Sequence, residues 1–273
     1  MELSKRLQAV ADLVSKDLVV ADVGTDHGYI PIYLIEAQKC EKAFAMDINE
    51  GPLLRAKEHL AEKIEVRQSD GVKAMSVGEC DSVVVAGMGG ALVIKIMEDG
   101  KEIFRGLKEF VLQPQSELEK VRQYLFENEF CVIAENMVLE DGKYYPMMLA
   151  VRAGADWDVE LENAQRKKHR LAEKLLQSGL TEKMCRFAGD WLGWQLMDSR
   201  SEVLFSFLEH TIKTDEALLL AMPKPDGDRA ADCSDQRMPG DDAAERILKR
   251  RTELEARIQL SEKVLEVLKM EKQ

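Results

Sequence analysis

The sequence predicts an α/β fold in which a mostly parallel, doubly wound sheet ends in an antiparallel hairpin and is followed by a helical region. Three observations lead to this prediction. Short β-branched runs alternate with amphipathic stretches through the first half of the chain, which is typical of βα units around a parallel sheet. Asp141-Gly142 joins two apolar runs and is the strongest hairpin signal present. From about residue 157 onward the pattern is helical only.

The first half of the chain contains five predicted strands and four predicted helices. The strand runs are short and apolar, and residues 82–88 (SVVVAGM) are apolar enough for burial on both faces. Ser116 stands three residues before Glu119, which is a capping-box signature for a helix start. The predicted strands are residues 18–23, 43–48, 64–69, 82–88 and 109–114. The predicted helices are residues 29–38, 52–63, 91–99 and 116–129.

The second half is predicted to form an antiparallel helical hairpin. Residues 223–243 hold three of the 7 prolines, six Asp and almost no large apolar side chain, which predicts a mobile loop. After this loop, apolar residues at three- and four-residue steps predict a helix that packs on residues 201–220 as a coiled coil. These residues are Ile247, Leu254, Ile258, Leu265 and Leu268. We therefore expect two domains, residues 1–153 and 154–273.

Composition excludes several classes of protein. The 273 residues are 45% hydrophobic and 32% charged, which is typical of a globular chain and excludes fibrous or wholly disordered proteins. No apolar run approaches the roughly 20 residues that cross a bilayer, and the N-terminus lacks a signal-peptide core, so we expect a cytoplasmic protein. The five cysteines are scattered singly, without metal-ligand spacing. The net charge of −12 argues against non-specific nucleic-acid binding, so any surface for a polyanion must be local.

A glycine-containing turn follows the first predicted strand. Residues 22–28 read Asp-Val-Gly-Thr-Asp-His-Gly, in which Gly24 permits a tight turn and close approach of a ligand. The dinucleotide fingerprint G-x-G-x-x-G is absent, and Asp22 would repel a pyrophosphate. A carboxylate here suits a cofactor with positive charge, such as the sulfonium and amine of S-adenosylmethionine. The alternative is an ordinary turn with a capping Asp.

Carboxylates also follow the next two predicted strands. Asp47, at the end of the second strand, can accept both hydroxyls of a ribose, although it can instead cap the next helix. Asp70-Gly71, after the third strand, is placed to meet an adenine amino group, but Asp-Gly is also a common turn. Two Asp residues that end neighbouring strands favour an adenosyl-containing ligand.

A second glycine-rich loop, Ala86-Gly-Met-Gly-Gly90, follows the fourth strand. Its glycines allow the backbone to approach a substrate closely, and Met88 can make an apolar contact with a flat ring. We expect this loop to take part in catalysis. The alternative is a flexible connection between strand and helix.

The chained motifs resemble the bacterial tRNA (adenine(22)-N1)-methyltransferase family, TrmK, over residues 1–152. They are ADVGTDHGYIPIYL, DINEGPL, SDG at 69–71, VVAGMGG, LQPQ and GKYY, and RFAG at 186–189 resembles the helical part of the family more loosely. The resemblance implies a class I Rossmann-like methyltransferase with a C-terminal coiled coil, which transfers methyl from S-adenosylmethionine to N1 of an adenine in the D-arm of tRNA. Residues 223–243 and the acidic balance depart from the family.

The resemblance, with the motifs above, gives a set of cofactor-binding residues and no metal ligands. The set is Asp22, Gly24, Thr25, Asp26, His27, Asp47, Ile48, Asp70, Gly71, Ala86, Gly87 and Met88.

The predicted chemistry is an in-line displacement that depends on positioning more than on a base, because adenine N1 has an available lone pair. Our catalytic candidates are Asp26, Met88 and Gly89, with Asp26 stabilising the cationic product. His27 as a proton shuttle is the weaker alternative to a hydrogen-bonding role.

The residues predicted to contact tRNA fall in two groups. Tyr29 is placed to stack on an extruded adenine, since N1 is unreachable while the base is paired. Basic residues near the cofactor face and in the run at 166–170 are the docking candidates, although a solvated helix face explains the run equally well. The full set is Lys5, Arg6, Tyr29, Arg166, Lys167, Lys168 and Arg170.

Several alternatives remain at this point. Tyr144 and Tyr145 should face opposite sides of a strand, so at least one should be core. Trp191 and Trp194 are expected in the core. The chain could instead be a small-molecule methyltransferase, an NAD-dependent reductase or a non-catalytic RNA-binding scaffold. We expect a monomer or weak dimer.

Overall fold

A computed structural model describes residues 2–49, 62–152, 157–223 and 241–270. These residues form seven strands and ten helices. The strands are β1 (Val20–Val23), β2 (Ala43–Asp47), β3 (Ile64–Gln68), β4 (Ser82–Met88), β5 (Glu109–Pro114), β6 (Phe130–Glu140) and β7 (Lys143–Arg152). The helices are α1 (Lys5–Leu13), α2 (Tyr29–Glu36), α3 (Gly90–Asp99), α4 (Lys101–Gly106), α5 (Leu118–Glu127), α6 (Asp158–Gln177), α7 (Glu182–Leu192), α8 (Trp194–Ser199), α9 (Glu202–Ala221) and α10 (Asp241–Met270).

The sheet confirms the predicted doubly wound architecture. Its strand order is β3-β2-β1-β4-β5-β7-β6. β1 pairs in parallel with both β2 and β4, so the chain reverses its winding direction between β1 and β4. β7 pairs antiparallel with β5 and β6, which forms the predicted terminal hairpin. Ligands in such sheets bind beyond the carboxyl ends of the strands at this reversal.

The hairpin turn confirms the role of its Asp-Gly dipeptide. Asp141 and Gly142 both adopt positive φ, 49° and 74°, as a two-residue type I′ turn requires. Glu140 pairs with Lys143 directly across the turn.

Apolar layers cover both faces of the sheet, which explains the continuous apolar run of β4. Val83 and Val85 pack with α3, α4 and α5, whereas Val84 packs with α1 and α2. Side chains alternate between faces along a strand, so each layer needs its own apolar set.

The predicted capping box at Ser116 and Glu119 is wrong. Helix α5 begins at Leu118, and its N-cap residue is Glu117, which has φ 54° and makes no side-chain cap. Ser116 Oγ instead accepts a hydrogen bond from Gly90 N at 3.3 Å, and Glu117 Oε2 accepts one from Ala91 N at 3.1 Å. Both side chains therefore cap the neighbouring helix α3, a long-range contact that a local sequence motif cannot reveal.

The C-terminal helices form the predicted antiparallel hairpin. Lys269 pairs with Glu209 and Arg257 with Asp215, so the numbering runs in opposite directions along α9 and α10. The apolar stripe differs from the expectation, because Ile247, Ile258 and Leu265 are only partly buried. The residues of α10 buried in the contact are Leu254, Leu260, Ser261, Val264, Val267 and Leu268.

Trp191 and Trp194 are only partly buried, because they pack against the edge of the helical core and not within it. The two tyrosines of β7 separate as predicted. Tyr144 contacts the helical region, where its hydroxyl lies 2.8 Å from Ser206 Oγ, and Tyr145 lies under the Arg6 guanidinium at 5.6 Å.

Some predictions lie wholly or mainly outside the described residues. These are the helix at 52–63, except that residues 62 and 63 form a turn, and Cys233 with most of the loop at 223–243. The last three residues of that predicted loop are helical, because α10 is described from Asp241. The boundary between residues 153 and 154 also falls outside, so the division into two domains stays a prediction.

Candidate active site

The ends of β1, β2 and β4 bring the predicted motifs together at one edge of the sheet. Val23 pairs with Met46 on one side and Val85 on the other, so the three following loops are neighbours. The turn after β1 is hydrogen-bonded to β2, because Gly24 N and Thr25 N both donate to Met46 O, at 2.8 and 2.9 Å.

Gly24 and Met88 join the first glycine turn to the second. Gly24 has φ +72°, and a Cβ atom added there would lie 2.2 Å from Met88 Cε. A side chain at position 24 would be strained by the positive φ and would also displace the terminal methyl of Met88. The close approach makes one crevice from the two loops.

Asp22 lies at the floor of this crevice. It is only 3% exposed, and its Oδ2 accepts a hydrogen bond from Thr25 Oγ1 at 2.6 Å. Burial raises the pKa of the Asp22 carboxyl to about 7, and the charge of Asp47 adds to the rise. A ligand that presents a positive group here would recover the electrostatic energy that burial costs.

Asp26, His27 and Tyr29 form the exposed rim of the crevice. Asp26 adopts φ 50° and its side chain is 65% exposed. His27 Nε2 lies 3.7 Å from Asp26 Oδ1, and its ring stacks on Tyr29 with centroids 5.2 Å apart. Tyr29, the first residue of α2, is 41% exposed and so is accessible to a flat partner.

Asp47 and Ile48 continue the rim at the end of β2. Asp47 Oδ1 accepts a hydrogen bond from Asn49 N at 2.9 Å within a local turn. Ile48 is 57% exposed, an apolar surface beside the carboxylates.

Asp70 forms an ion pair within the protein. Lys73 Nζ donates to Asp70 Oδ2 and lies 3.3 Å from Asp99, and the hydrogen bond from Lys73 lowers the pKa of the Asp70 carboxyl. Gly71 has φ +64° and packs on Ile96, which ties this turn to α3.

The loop after β4 contains a bulge between Ala86 and Met88. Gly87 has φ +78° at this bulge, and Gln113 Oε1 accepts hydrogen bonds from Gly87 N at 3.1 Å and Arg6 Nη1 at 3.0 Å. Gln113 thus fixes both the glycine loop and one predicted tRNA-contacting residue. Gly89, the N-cap residue of α3, is exposed at the same edge.

Sequence reasoning missed Gln113 as a site residue. It noted LQPQ only as one motif of the family resemblance, without a role for its members. The missing information was that β5 lies beside β4, where Gln113 pairs with Ala86.

The predicted tRNA-contacting residues fall in two separate places. Lys5, Arg6 and Tyr29 lie on α1 and α2, and Arg6 reaches the glycine loop. The basic run at 166–170 lies on α6 and is largely paired, because Lys167 Nζ lies 3.5 Å from Asp198 Oδ2 and Arg170 also contacts Asp198. Arg166 hydrogen-bonds Asn163 on its own helix.

Lys168, unlike Lys167 and Arg170, lies beside aromatic side chains. Its ammonium lies over two aromatic rings, 5.7 Å from the Phe126 centroid and 5.9 Å from the Trp194 centroid.

The described ranges contain no candidate metal site and no candidate membrane span. No three His, Cys, Asp or Glu side chains are grouped there as metal ligands would be. No helix within those ranges is both long and apolar enough to span a bilayer.

Known sequences that are similar to this chain are methyltransferases. A family model described as a methyltransferase domain matches residues 3–148. The chain is 38% identical over 161 residues to the tRNA (adenine(22)-N(1))-methyltransferase of Bacillus subtilis, a match that covers 57% of this chain and 68% of that protein.

Two solved structures superimpose on almost the whole of this chain. The crystal structure of the Bacillus subtilis m1A22 tRNA methyltransferase TrmK superimposes with TM-score 0.70 at 28% identity, covering 97% of this chain and 99% of that one. A candidate tRNA (m1A22) methyltransferase of Streptococcus pneumoniae, solved in complex with S-adenosyl-L-methionine, gives TM-score 0.70 at 25% identity, covering 97% of this chain and 100% of that one. The likeness therefore includes the helical region as well as the sheet.

Proposed function

Because the chain belongs to the bacterial tRNA (adenine(22)-N(1))-methyltransferase family, we propose that it methylates N1 of adenine 22 in the D-arm of tRNA, with S-adenosylmethionine as methyl donor. The observation that carries the proposal is the crevice where the buried Asp22 carboxylate lies below the joined loops of Gly24 and Met88. These relatives favour a tRNA substrate over a small molecule or a hydride-transfer reaction.

The residues of the crevice fit the methyl donor. Asp22 provides a buried negative charge for its cationic part, and the flexible Met88 side chain beside Gly24 can move to let the ligand approach the Gly24 backbone. Asp47 is the carboxylate that accepts hydrogen bonds from the ribose hydroxyls. Ile48 offers an apolar surface to the adenine, and Asp70 and Gly71 lie beside the adenine. S-adenosylmethionine supplies an electrophilic methyl group on a sulfonium.

The protein's contribution to the reaction is orientation and charge stabilisation. Adenine N1 attacks with its own lone pair, so no strong base is needed, and precise placement lowers the barrier. The exposed Asp26 carboxylate stabilises the positive charge that develops on the base, and the loop of Met88 and Gly89 forms the wall along which the base is presented. His27 acts in hydrogen bonding at the rim.

Recognition of tRNA requires the target base to leave its stack. Tyr29 is exposed beside the crevice and offers a stacking surface for the extruded adenine. Lys5 and Arg6 contact phosphates next to the catalytic edge, and the basic residues of α6 contact the RNA farther away. We also propose a boundary between two domains at residues 153 and 154, a cytoplasmic location, and a monomeric or weakly dimeric state.

The test of this function is direct. The protein is incubated with an unmodified tRNA transcript and S-adenosylmethionine, and the digested nucleosides are analysed by mass spectrometry for 1-methyladenosine. We expect the modification at position 22, and its absence from a transcript in which adenine 22 is replaced by guanine. Asp26→Ala should retain cofactor binding and lose turnover; full turnover would remove Asp26 from the mechanism.

A further inference from the structure

A cavity separate from the catalytic edge lies between the sheet and the helical region. It has a volume of about 390 Å³ and is bordered by α5, β6, α6, α7 and α8. None of the proposed cofactor residues lines it. This volume falls in the range of pockets that bind small planar ligands.

Aromatic surfaces line the cavity in an arrangement suited to stacking. Phe126 is 76% exposed, which is unusual for a phenylalanine that has an apolar cavity beside it. The Trp194 indole is fixed against the backbone of Gly189, where an added Cβ would lie 2.2 Å from the ring. Lys168 contacts the faces of both rings. The site therefore offers two π surfaces and a cation, and one of the rings is held rigidly.

One buried hydrogen-bond acceptor in the cavity wall has no partner among the described residues. Gln195 is 7% exposed, and its Nε2 donates to Ala164 O at 3.2 Å, which fixes the orientation of the amide. Its Oε1 accepts no hydrogen bond within the described part of the chain. A buried acceptor left unsatisfied is costly, so a small rotation of the Gln195 side chain that presents Oε1 to an N–H group in the cavity would be favoured.

The charges of the cavity select a neutral ring over an anion. Arg122 and Glu135 neutralise each other in a buried pair. The remaining basic residues, Lys168 and Arg186, are balanced by Glu127 and Asp190. Stacking and hydrogen bonding, and not net charge, must therefore provide recognition. Every nucleobase has a π face and a ring or exocyclic N–H, so the site matches a nucleobase without preferring one.

We propose that this cavity binds a second, unpaired nucleobase of the tRNA that is being methylated, stacked on Phe126 and Trp194 and hydrogen-bonded to Gln195. The inference rests on the proposed function.

The cavity lies away from the carboxyl ends of the parallel strands, because Val132 and Glu135 of β6 are level, through β7, with Phe110 and Leu112, which precede the carboxyl end of β5. Strands β5 and β7 also separate β4 from β6, which adds roughly 15 Å across the sheet at the usual strand spacing. One RNA molecule can span that distance and occupy both sites.

The test measures tRNA binding separately from catalysis. Fluorescence anisotropy with labelled, unmodified tRNA gives Kd for the wild type and for Phe126→Ala, which should fold normally because the ring is exposed. Phe187→Ala is the matched control, since Phe187 is also exposed, at 45%, but does not line the cavity. We expect Phe126→Ala to weaken tRNA binding at least about fivefold, as loss of one stacking contact does, and Phe187→Ala to change it less than twofold. S-adenosylmethionine affinity and kcat at saturating tRNA should stay unchanged in both.

A free nucleotide presents the same aromatic face and N–H groups as a base of the tRNA. Quenching of tryptophan fluorescence by adenosine 5′-monophosphate and cytidine 5′-monophosphate that is lost in Trp194→Phe reports binding at Trp194, because Trp157 and Trp191 also fluoresce. If tRNA binds Phe126→Ala as tightly as wild type, the proposal is overturned, and quenching by the mononucleotides would then assign the cavity to a free nucleotide. Failure to form 1-methyladenosine would overturn the proposed function alone, because the anisotropy measurement does not require turnover.

Discussion

Burial of the Asp22 carboxylate makes cofactor binding dependent on pH. With a pKa of about 7, the group is mostly protonated at pH 6 and half ionised at pH 7. The ionised form attracts the cationic ligand, so affinity should rise with pH through this window. We expect calorimetry to show about fivefold tighter binding of S-adenosylmethionine at pH 7 than at pH 6.

The Asp22→Asn variant should bind more weakly and lose this pH dependence. Asp158→Asn, which removes an exposed carboxylate in the first turn of α6, serves as the control and should behave as wild type. An unchanged pH profile in Asp22→Asn would assign the dependence to another group.

Gly24 provides a second test at the level of single residues. Gly24→Ala combines a positive φ with displacement of the Met88 methyl, which lies 2.2 Å from the added Cβ, so we expect weaker cofactor binding and a lower free energy of unfolding. Gly142→Ala is the matched control, because φ is +74° but no atom lies within 4 Å of the added Cβ. It should show only the backbone strain, about 1 kcal/mol in urea unfolding. Equal effects of the two substitutions on cofactor affinity would contradict the joined-loop crevice.

At the level of elements, the helical hairpin of α9 and α10 contains a polar pair in its apolar contact. Asp215 is 1% exposed and accepts two hydrogen bonds from Arg257. In some proteins such a pair fixes the register of the helices, and its net contribution to stability is small. Asp215→Ala leaves the guanidinium without its partner, so we expect a lower Tm and faster proteolysis within α10, with Asp215→Asn showing a smaller effect. A register role would be contradicted if both variants were cut at the wild-type rate.

The sequence predicted elements better than it predicted contacts between them. The five parallel strands and the hairpin follow from local apolar patterns and from Asp141-Gly142, which determine structure over a few residues. The capping residues Ser116 and Glu117 and the loop-fixing residue Gln113 act on neighbours 26 residues away. The stripe on α10 was misassigned for a related reason. An amphipathic period identifies a helix, whereas its partner determines which of the adjacent residues, such as Val264 or Leu265, is buried.

The edge of the sheet that holds the candidate site follows from the sequence in the same way, whereas the roles of its residues stay predictions. Asp22, Gly24 and Met88 do meet at one edge, because strand ends in a parallel sheet must do so. The separation of the basic residues of α6 from Lys5 and Arg6 was not predictable, since it depends on where the helical region docks.

At the level of the whole molecule, one buried ion pair joins the sheet to the helical region. Arg122 of α5 contacts Glu135 at 2.7 Å and donates to the carbonyls of Asp190, Trp191 and Leu192 at the end of α7. Glu135 accepts from the N–H groups of Gln195 and Leu196 at the start of α8. The pair therefore caps two helices at once.

Removal of Arg122 should destabilise the molecule strongly. Arg122→Met leaves Glu135 charged and buried, so we expect a loss of about 3–5 kcal/mol in urea unfolding. Arg105→Met, which removes a guanidinium from an exposed pair with Glu102, should cost less than about 1 kcal/mol. Similar losses in the two variants would show that the junction is not held by this pair.

The core of the helical region is completed only late in synthesis. Leu171 of α6 and Leu268 of α10 belong to the same apolar cluster, yet Leu268 is translated nearly a hundred residues later. At ordinary ribosome speeds this interval is roughly 5 to 20 s. During it, the apolar side of α6 lacks part of its cover on the nascent polypeptide and stays accessible to chaperones.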